Sequence, residues 1–477
     1  MIAVALNVKN GLELQNETLA IVTGIFLSLI FIYYLSIGVR VSLSKPSDKK
    51  AVMLNKLNNR VYFELFFMLL LMTVSFFTIS KNLAITQGFK AGVRTIVLFW
   101  AWFELILLKR KGFITGVEYE NREALWFYLL YLLLGFASFM WSSKVSFSIL
   151  QWLMVVQSLV TAYFIMRLFV VYNHYFVFKP IRLTQLFSYV VFIIAVVLLV
   201  GAVVAPDVFF RSMRGGEEKR LGGYLMNPNE LGMLSSLGAA VSFLELSKTR
   251  NKAMVIVMLL VIVAALALTT SRSSFIGFIA VVGIIVNKTA SKNVKIAIYL
   301  IIALSIPFIL QYVIFKAGNV DEVLSMTGRL PFWTALLHEA IVKEPWFGFG
   351  FQRIYYTDRF QGLNTYAGMM THNAFLQILL NLGFVGFFIG LTQIFFIFRA
   401  FLKDKSEDVR NLFIAFIIPL FVNSFTEFGI FGNANYAIFF YQVLIFIAVL
   451  RPKKHFSLRE KLRDRKTRDL YGLPPVF

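Results

Sequence analysis

The residues of this chain best suited to chemistry are basic ones, set in short polar motifs between long apolar runs. Arg211, Arg214, Lys219 and Arg220 precede Leu221-Gly-Gly-Tyr-Leu-Met-Asn227-Pro-Asn229-Glu230, and Arg272 lies in Thr269-Thr-Ser-Arg272-Ser-Ser274. Arg329 sits in Thr327-Gly-Arg329-Leu-Pro-Phe-Trp333, and His372-Asn373 stands before another apolar run. Glu427 closes Asn423-Ser-Phe-Thr-Glu427. Several guanidinium groups at a membrane surface suit phosphates or diphosphates presented from a lipid. The planar fork bonds phosphate oxygens bidentately and keeps its charge. Each residue also has a plainer reading. An arginine near a membrane boundary can snorkel to headgroups, Asn229 and Asn373 can be helix N-caps, and a histidine at a helix start can be structural. Gly348 and Gly350 suit turns, and Gly386-x-x-x-Gly390 suits helix packing.

The elements that must position these groups are membrane helices. Of 477 residues, 58% are hydrophobic and 15% charged, with mean hydropathy +0.74. A soluble domain is about 45–50% apolar and about 25% charged, so soluble globular, disordered and fibrous classes are excluded. The 47 Lys and Arg against 25 Asp and Glu leave a net charge of +22; in a chain with 52 Phe this implies no nucleic-acid partner. With no Cys, disulfides, iron–sulfur ligation and thiol catalysis are excluded. Four His argue against a multi-histidine metal site.

Runs of spanning length occur at 19–39, 62–79, 91–108, 124–141, 147–171, 184–205, 229–247, 253–270, 274–287, 296–315, 373–400, 411–426 and 434–450. The expected fold is all-α, a polytopic transmembrane bundle of about 12–14 spans. Thirteen spans with the N-terminus outside and the C-terminus inside place 32 of the 47 basic residues on the cytoplasmic side, as the positive-inside rule requires. Of the 15 external ones, 10 fall in 206–224, at Arg272 or in 316–372. Loop 316–372 is long, carries an amphipathic helical stretch at Pro331–Lys343, and has the length of a functional loop. The organisation is thus an N-terminal bundle, 1–205, a catalytic region, 206–450, and a basic cytoplasmic tail, 451–477, expected to face solvent or headgroups.

Taken in order, Arg220-Leu-Gly-Gly-Tyr-Leu-Met-Asn227-Pro-Asn229, Ser271-Arg272-Ser-Ser274, Gly328-Arg329…Trp333, Glu344-Pro345…Gly348-Phe-Gly350 and His372-Asn373…Gly383 resemble the O-antigen ligase/O-antigen polymerase superfamily. These are bacterial envelope glycosyltransferases with a GT-C-like membrane fold. The resemblance covers roughly 206–430. It implies transfer of a glycan from an undecaprenyl-diphosphate-linked donor, on the outer face of the cytoplasmic (inner) membrane, with no cofactor. The acceptor hydroxyl belongs to a lipid-linked saccharide, a lipid A-core sugar or a protein, and direct displacement inverts the anomeric carbon. On matching positions Arg220, Arg272 and Arg329 hold the diphosphate, and His372 positions or deprotonates the acceptor. Glu427 is a second base or an orienter of His372; Arg211, Arg214 and Lys219 touch donor or headgroup; Asn229 and Asn373 support the motifs. Ligase and polymerase share these motifs.

The rival class is a secondary transporter or lipid-linked oligosaccharide flippase, in which charged residues gather in broken helices near the midplane. Here the ionisable residues within apolar runs are few, Glu64, Glu104, Arg167 and Glu245, while the polar motifs gather on the external side. The chain has no Asp-x-Asp, and Glu118-Tyr-Glu120 falls on the cytoplasmic side, so arginines replace a metal as diphosphate ligand. Glycan transfer by purified protein is therefore expected to persist in EDTA; loss of product restored by magnesium or manganese would overturn the metal-free reading.

Overall fold

The computed structural model describes residues 49–79, 82–175, 181–213, 218–308, 329–352, 371–427, 429–432, 434–455 and 457–471. The first expected span, 19–39, Arg214, and loop segments 316–328 and 353–370 lie outside the described residues. The principal helices are α1 (Lys49–Val74), α2 (Leu83–Arg110), α3 (Arg122–Ala137), α4 (Val145–Tyr175), α5 (Leu183–Val204), α6 (Pro228–Glu245), α7 (Lys252–Thr269), α8 (Arg272–Thr289), α9 (Lys292–Phe308), α10 (Arg329–Ala335), α11 (Ala374–Lys403), α12 (Glu407–Ser424), α13 (Tyr436–Val449) and α14 (Leu458–Tyr471). A short hairpin pairs β1 (Phe210–Met213) with β2 (Glu218–Leu221).

Among the described residues seven helices are long and apolar enough to cross a membrane: α2, α3, α4, α5, α7, α8 and α11. The helix over 274–287, the shortest expected run, is among them. By contrast α6 and α12 carry Gly, Ser, Asn and Glu at positions that are mostly buried against other helices, and α13, with 14 residues, is buried throughout. Helices enclosed by protein need not be as apolar as those facing lipid, and small residues let backbones approach. One sequence boundary shifts: the run expected at 91–108 is helical from Leu83, which puts Lys90 inside α2. The reason is the unbroken run from Leu83 to Arg110, which contains no proline and tolerates Gly88 and Gly92.

The chain divides into two compact units, one from Met1–Glu118, Tyr163–Met226 and Leu450–Phe477, the other from Tyr119–Ala162 and Asn227–Val449. In the first, α1 packs on α2 and α5. Glu64 and Glu104, the charges inside its apolar runs, both bond Arg60, at 2.6 Å and 3.1 Å, and the Tyr172 hydroxyl donates to Glu64 at 2.9 Å. The guanidinium thus ties α1 to α2, and Tyr172 joins α4 to them through Glu64. The hairpin folds back through Gly223, whose φ of 56° lies in the left-handed region and whose added Cβ would come within 1.9 Å of the Val208 carbonyl oxygen.

The basic tail meets the expectation on one face, where Lys461, Arg465 and Lys466 are exposed, and departs from it on the other. Helix α14 docks on its unit: Arg463 Nε donates to the Gly112 carbonyl at 2.8 Å. Arg468 and Asp464 pair at 2.7 Å with both side chains buried, and the Arg468 guanidinium lies 4.9 Å from the Tyr175 ring centroid. An i, i+4 ion pair masks the charge that composition alone would leave in water.

In the second unit α6 packs against α7, α8 and α12, while α11 packs on α3. Helix α11 is broken at Gly383, where φ 62° and ψ −163° are accessible to glycine alone. The break separates Leu380 and Asn381 from their usual partners Phe384 and Val385. Segment 345–350 fills the gap: Phe349 N–H donates to Leu380 O and Gly350 N–H to Asn381 O, both at 2.9 Å. In return Phe384 N–H donates to Pro345 O at 2.7 Å and Val385 N–H to Trp346 O at 3.2 Å. The glycines at 348, 350 and 383 therefore belong to one backbone splice. Apolar contacts among Phe332, Leu336, Phe349 and Leu380 seat α10 beside it.

Gly383→Ala would place a Cβ 2.2 Å from the Trp346 carbonyl carbon and is expected to destabilise by at least about 2 kcal/mol. Gly92→Ala, with nothing within 4 Å, should be neutral or slightly stabilising. Thermal unfolding in detergent checks the contrast, and equal melting temperatures would refute the splice.

Candidate functional site

Four stretches of the second unit meet at one carboxylate. Beyond the end of α12 the chain turns once, with Glu427 N–H donating to Asn423 O at 2.7 Å, and brings the Glu427 side chain inside. There Oε1 accepts from Asn229 Nδ2 at 2.6 Å and from Arg329 Nη2. Oε2 lies 2.9 Å from His372 Nδ1. Arg329 Nη1 donates to the Thr426 carbonyl, so both terminal nitrogens of that guanidinium are engaged. Side-chain exposure is 5% for Glu427, 12% for Arg329 and 26% for His372. The imidazole is the member of this group most open to a reactant.

Each partner is delivered by a local device. Asn227, not Asn229, is the N-cap of α6: its Oδ1 accepts from Asn229 N–H at 2.9 Å, with Pro228 in the first turn. Asn229, one residue further in, is thereby left to reach Glu427. Asn373 does cap α11, its Oδ1 accepting from Phe375 and Leu376 N–H at 3.0 and 3.1 Å. The preceding His372 has φ 50°, a left-handed conformation that costs a non-glycine residue about 1–3 kcal/mol and persists only where its neighbours impose it. Thr371 imposes it, through Oγ1 to Asn373 O at 2.7 Å and through its carbonyl, which accepts from Trp333 Nε1 at 2.7 Å. Trp333 belongs to the same helix that begins at Arg329, so α10 supplies both the arginine and the clamp on the histidine. Pro331 falls in the first turn of that helix, as its spacing suggests.

Asn423, four residues before Glu427, is the second convergence point. Its Oδ1 accepts from Ser273 Oγ at 2.9 Å and Ser274 Oγ at 3.1 Å, in the first turn of α8. Arg272 is the first residue of that helix. The opening turns of α6, α8 and the start of α11 are thus all bonded to Asn423 or Glu427. Helix N-termini carry partial positive charge and orphan N–H groups, so this convergence favours anions.

The electrostatics follow from the partners. Glu427 lies beyond the expected span 411–426. Burial pushes its carboxyl upward, but the Arg329 charge and the His372 bond outweigh burial and hold it below the ordinary carboxylate value. Glu427 is consequently ionised at neutral pH and can only accept. The network therefore assigns a proton to Nδ1 of His372, the ring nitrogen that faces the carboxylate.

The residues suggested by sequence are distributed as follows. Arg272, Arg329, His372, Glu427, Asn229 and Asn373 lie in the second unit. Arg220 lies in the first unit, 7% exposed, in cross-strand register with Arg211, while Arg211 and Lys219 are exposed on the hairpin. Asn423, Thr371, Trp333 and Gln377 join the site without having been picked out as functional. Asn423 is detectable in hindsight, since it stands one helical turn before Glu427. Gln377, bonded to Thr371 Oγ1 at 3.1 Å, sits in a helical apolar run and leaves no such signal. Among the described residues no group of His, Asp and Glu is arranged to hold a metal ion.

Residues 255–391 match a family model described as O-antigen ligase. The match includes Arg272, Arg329, His372, Asn373 and Gly383. Asn229 and Glu427, which complete the network, lie outside it. No curated protein matches the chain.

Because its carboxyl is lowered by folding, Glu427 contributes stability that is fully present above the ordinary carboxylate range and lost as pH falls through the lowered value. Glu427→Gln should remove that acid-side dependence and cost about 3–5 kcal/mol, since it leaves the buried Arg329 charge without its counterion. Melting temperature measured against pH checks this, and parallel curves for the two proteins would refute it.

Proposed function

We propose, on the match of residues 255–391 to a family model described as O-antigen ligase, that the protein transfers glycans as O-antigen ligases and polymerases do, by the following chemistry. The donor is a glycan linked through diphosphate to undecaprenol. The acceptor is a hydroxyl of a lipid-linked saccharide, a lipid A-core sugar or a protein. Transfer takes place on the outer face of the bacterial inner membrane, without a metal, and inverts the anomeric carbon.

The observation that carries this reading is the Arg329–Glu427–His372 network. The acceptor O–H donates to Nε2 of His372. As that proton moves to Nε2, the oxygen forms its bond to the anomeric carbon. The bond from that carbon to the diphosphate oxygen breaks on the opposite face, and its electron pair leaves with the diphosphate. Glu427, across Nδ1, steadies the imidazolium that results, while its three bonds leave it the role of orienter rather than second base. General-base assistance of this kind is worth about 10²–10⁴-fold.

Arg272, at the start of α8, is the arginine proposed to grip the departing diphosphate, aided by the helix N-termini around it. Arg329 contributes its charge while bonded to Glu427 and Thr426. For Arg220 the same assignment rests on its motif. Preorganised positive groups at a leaving group stabilise charge only as it develops.

A transporter reading would draw support from the broken helix α11. In transporters, however, the carbonyls freed by such a break coordinate the cargo ion, whereas here Leu380 O and Asn381 O already accept from Phe349 and Gly350.

The test mixes purified protein with an undecaprenyl-diphosphate-linked repeat unit, alone and with candidate acceptors. Laddering with donor alone identifies a polymerase, and a single transfer that requires acceptor identifies a ligase. His372→Ala should lower product at least about 10²-fold with normal protein in the membrane. Wild-type rates in that variant would eliminate the base assignment.

A further inference from the structure

The first unit contains a buried charge that the transfer chemistry above does not use. Arg94 is 0% exposed. Its Nε donates to Ser75 Oγ at 3.2 Å, and the Phe76 ring covers one side of the guanidinium, 4.0 Å from Cζ to ring centroid. Nη1 and Nη2 have no hydrogen-bond partner, and no carboxylate pairs with Arg94 among the described residues. A guanidinium has five N–H bonds, so four of them lack a partner among the described residues. The group sits about 13 Å inside the candidate span that begins at Ile85.

Such an arrangement is costly. An uncompensated buried charge is far less favourable than the same group in water, and a cation–π contact returns only a part of that cost. Arginine, unlike lysine or histidine, cannot escape by losing its proton. An intramembrane charge kept at this cost calls for a partner that the described residues do not supply.

The partner's chemistry follows from the geometry. With Nε bonded and one face under Phe76, the vacant donors are the paired terminal nitrogens, the edge that grips two oxygens of one oxyanion bidentately. In a bilayer the anions that present such oxygens are phosphoryl groups. The neighbourhood agrees: two residues beyond Phe76, Thr78 N–H donates to Leu225 O at 2.7 Å. The turn holding Arg94 thus borders the Arg220–Met226 motif within the same unit.

We propose that Arg94 is a binding residue for a lipid phosphoryl group, gripping two of its oxygens through Nη1 and Nη2. Two lipids carry that group, a phospholipid headgroup and the polyprenyl diphosphate of the donor; only the second source rests on the function proposed above.

The experiment uses full-length protein in maltoside detergent and reads binding by thermal shift and native mass spectrometry. The probes are undecaprenyl diphosphate, phosphatidylglycerol and, as a phosphate-free control, undecaprenol. Wild-type protein should bind a phosphoryl probe and not undecaprenol, and Arg94→Met should weaken that binding at least tenfold. Because it removes an unpaired buried charge, Arg94→Met should also unfold at a higher temperature than wild type without ligand. Arg94→Lys, which keeps the charge but not the fork, should bind several-fold more weakly than wild type, and it decides the matter if Arg94→Met does not accumulate. Preference for undecaprenyl diphosphate identifies the donor as the source, and equal or stronger binding of phosphatidylglycerol identifies a headgroup. His372→Ala should retain the binding, so loss of transfer and loss of this site are read separately. Unchanged phosphoryl binding in both Arg94 variants, or absence of phosphoryl binding in wild type, overturns the proposal.

Discussion

A carboxylate taken out of water has to be surrounded by donors, and much of the second unit can be understood as supplying them to Glu427. Desolvation alone would protonate it and dissolve the site. One full charge from Arg329, an amide from Asn229 and the imidazole N–H of His372 reverse that tendency. The three come from sequence positions 198, 98 and 55 residues away from Glu427. A buried ion pair is weak support for stability in general. Here its consequence is orientational: an ionised Glu427 holds Nδ1 of His372 toward itself.

That arrangement depends in turn on backbone held in unfavourable conformations. The left-handed φ of His372 and the glycine-only conformation of Gly383 bracket the first part of α11. Both are stabilised by the same part of the chain, since α10 delivers Trp333 to the Thr371 carbonyl and the turn-rich segment after it bonds into the helix break. The loop preceding the histidine therefore serves as scaffold along its described parts. Its Glu-Pro-Trp-Phe-Gly-Phe-Gly motif replaces helical hydrogen bonds rather than touching a reacting group.

A different solution to buried charge holds in the first unit. Arg60 bonds both Glu64 and Glu104, Tyr172 donates to Glu64, and Arg468 is matched by Asp464. Against these compensated cases Arg94, with two nitrogens unbonded, stands apart. Interior helices such as α6 show the complementary principle: where protein rather than lipid forms the surroundings, serines, glycines and an asparagine replace the leucines and valines of α5 and α7.

What the sequence by itself determined is what depends on local chemistry. Long apolar runs dictate helices in lipid because every backbone group must be satisfied within the segment, and among the described residues helices stand where those runs lie. Asn373 before such a run is a cap, and Pro331 opens a helix, for equally local reasons. The set of polar residues worth watching, His372, Glu427, Arg272, Arg329 and Asn229, was also legible, because ionisable groups beside membrane helices are expensive and few. Only the tertiary structure decided how they are connected. That Glu427 bonds His372, Arg329 and Asn229 together depends on helices packed from distant parts of the chain. That Asn227 rather than Asn229 is the cap depends on Glu427 claiming the latter. The docked tail and the glycine splice were hidden for the same reason. A charge run or a glycine has one meaning in water and another when a specific neighbour lies against it, and no local pattern records which neighbour that will be.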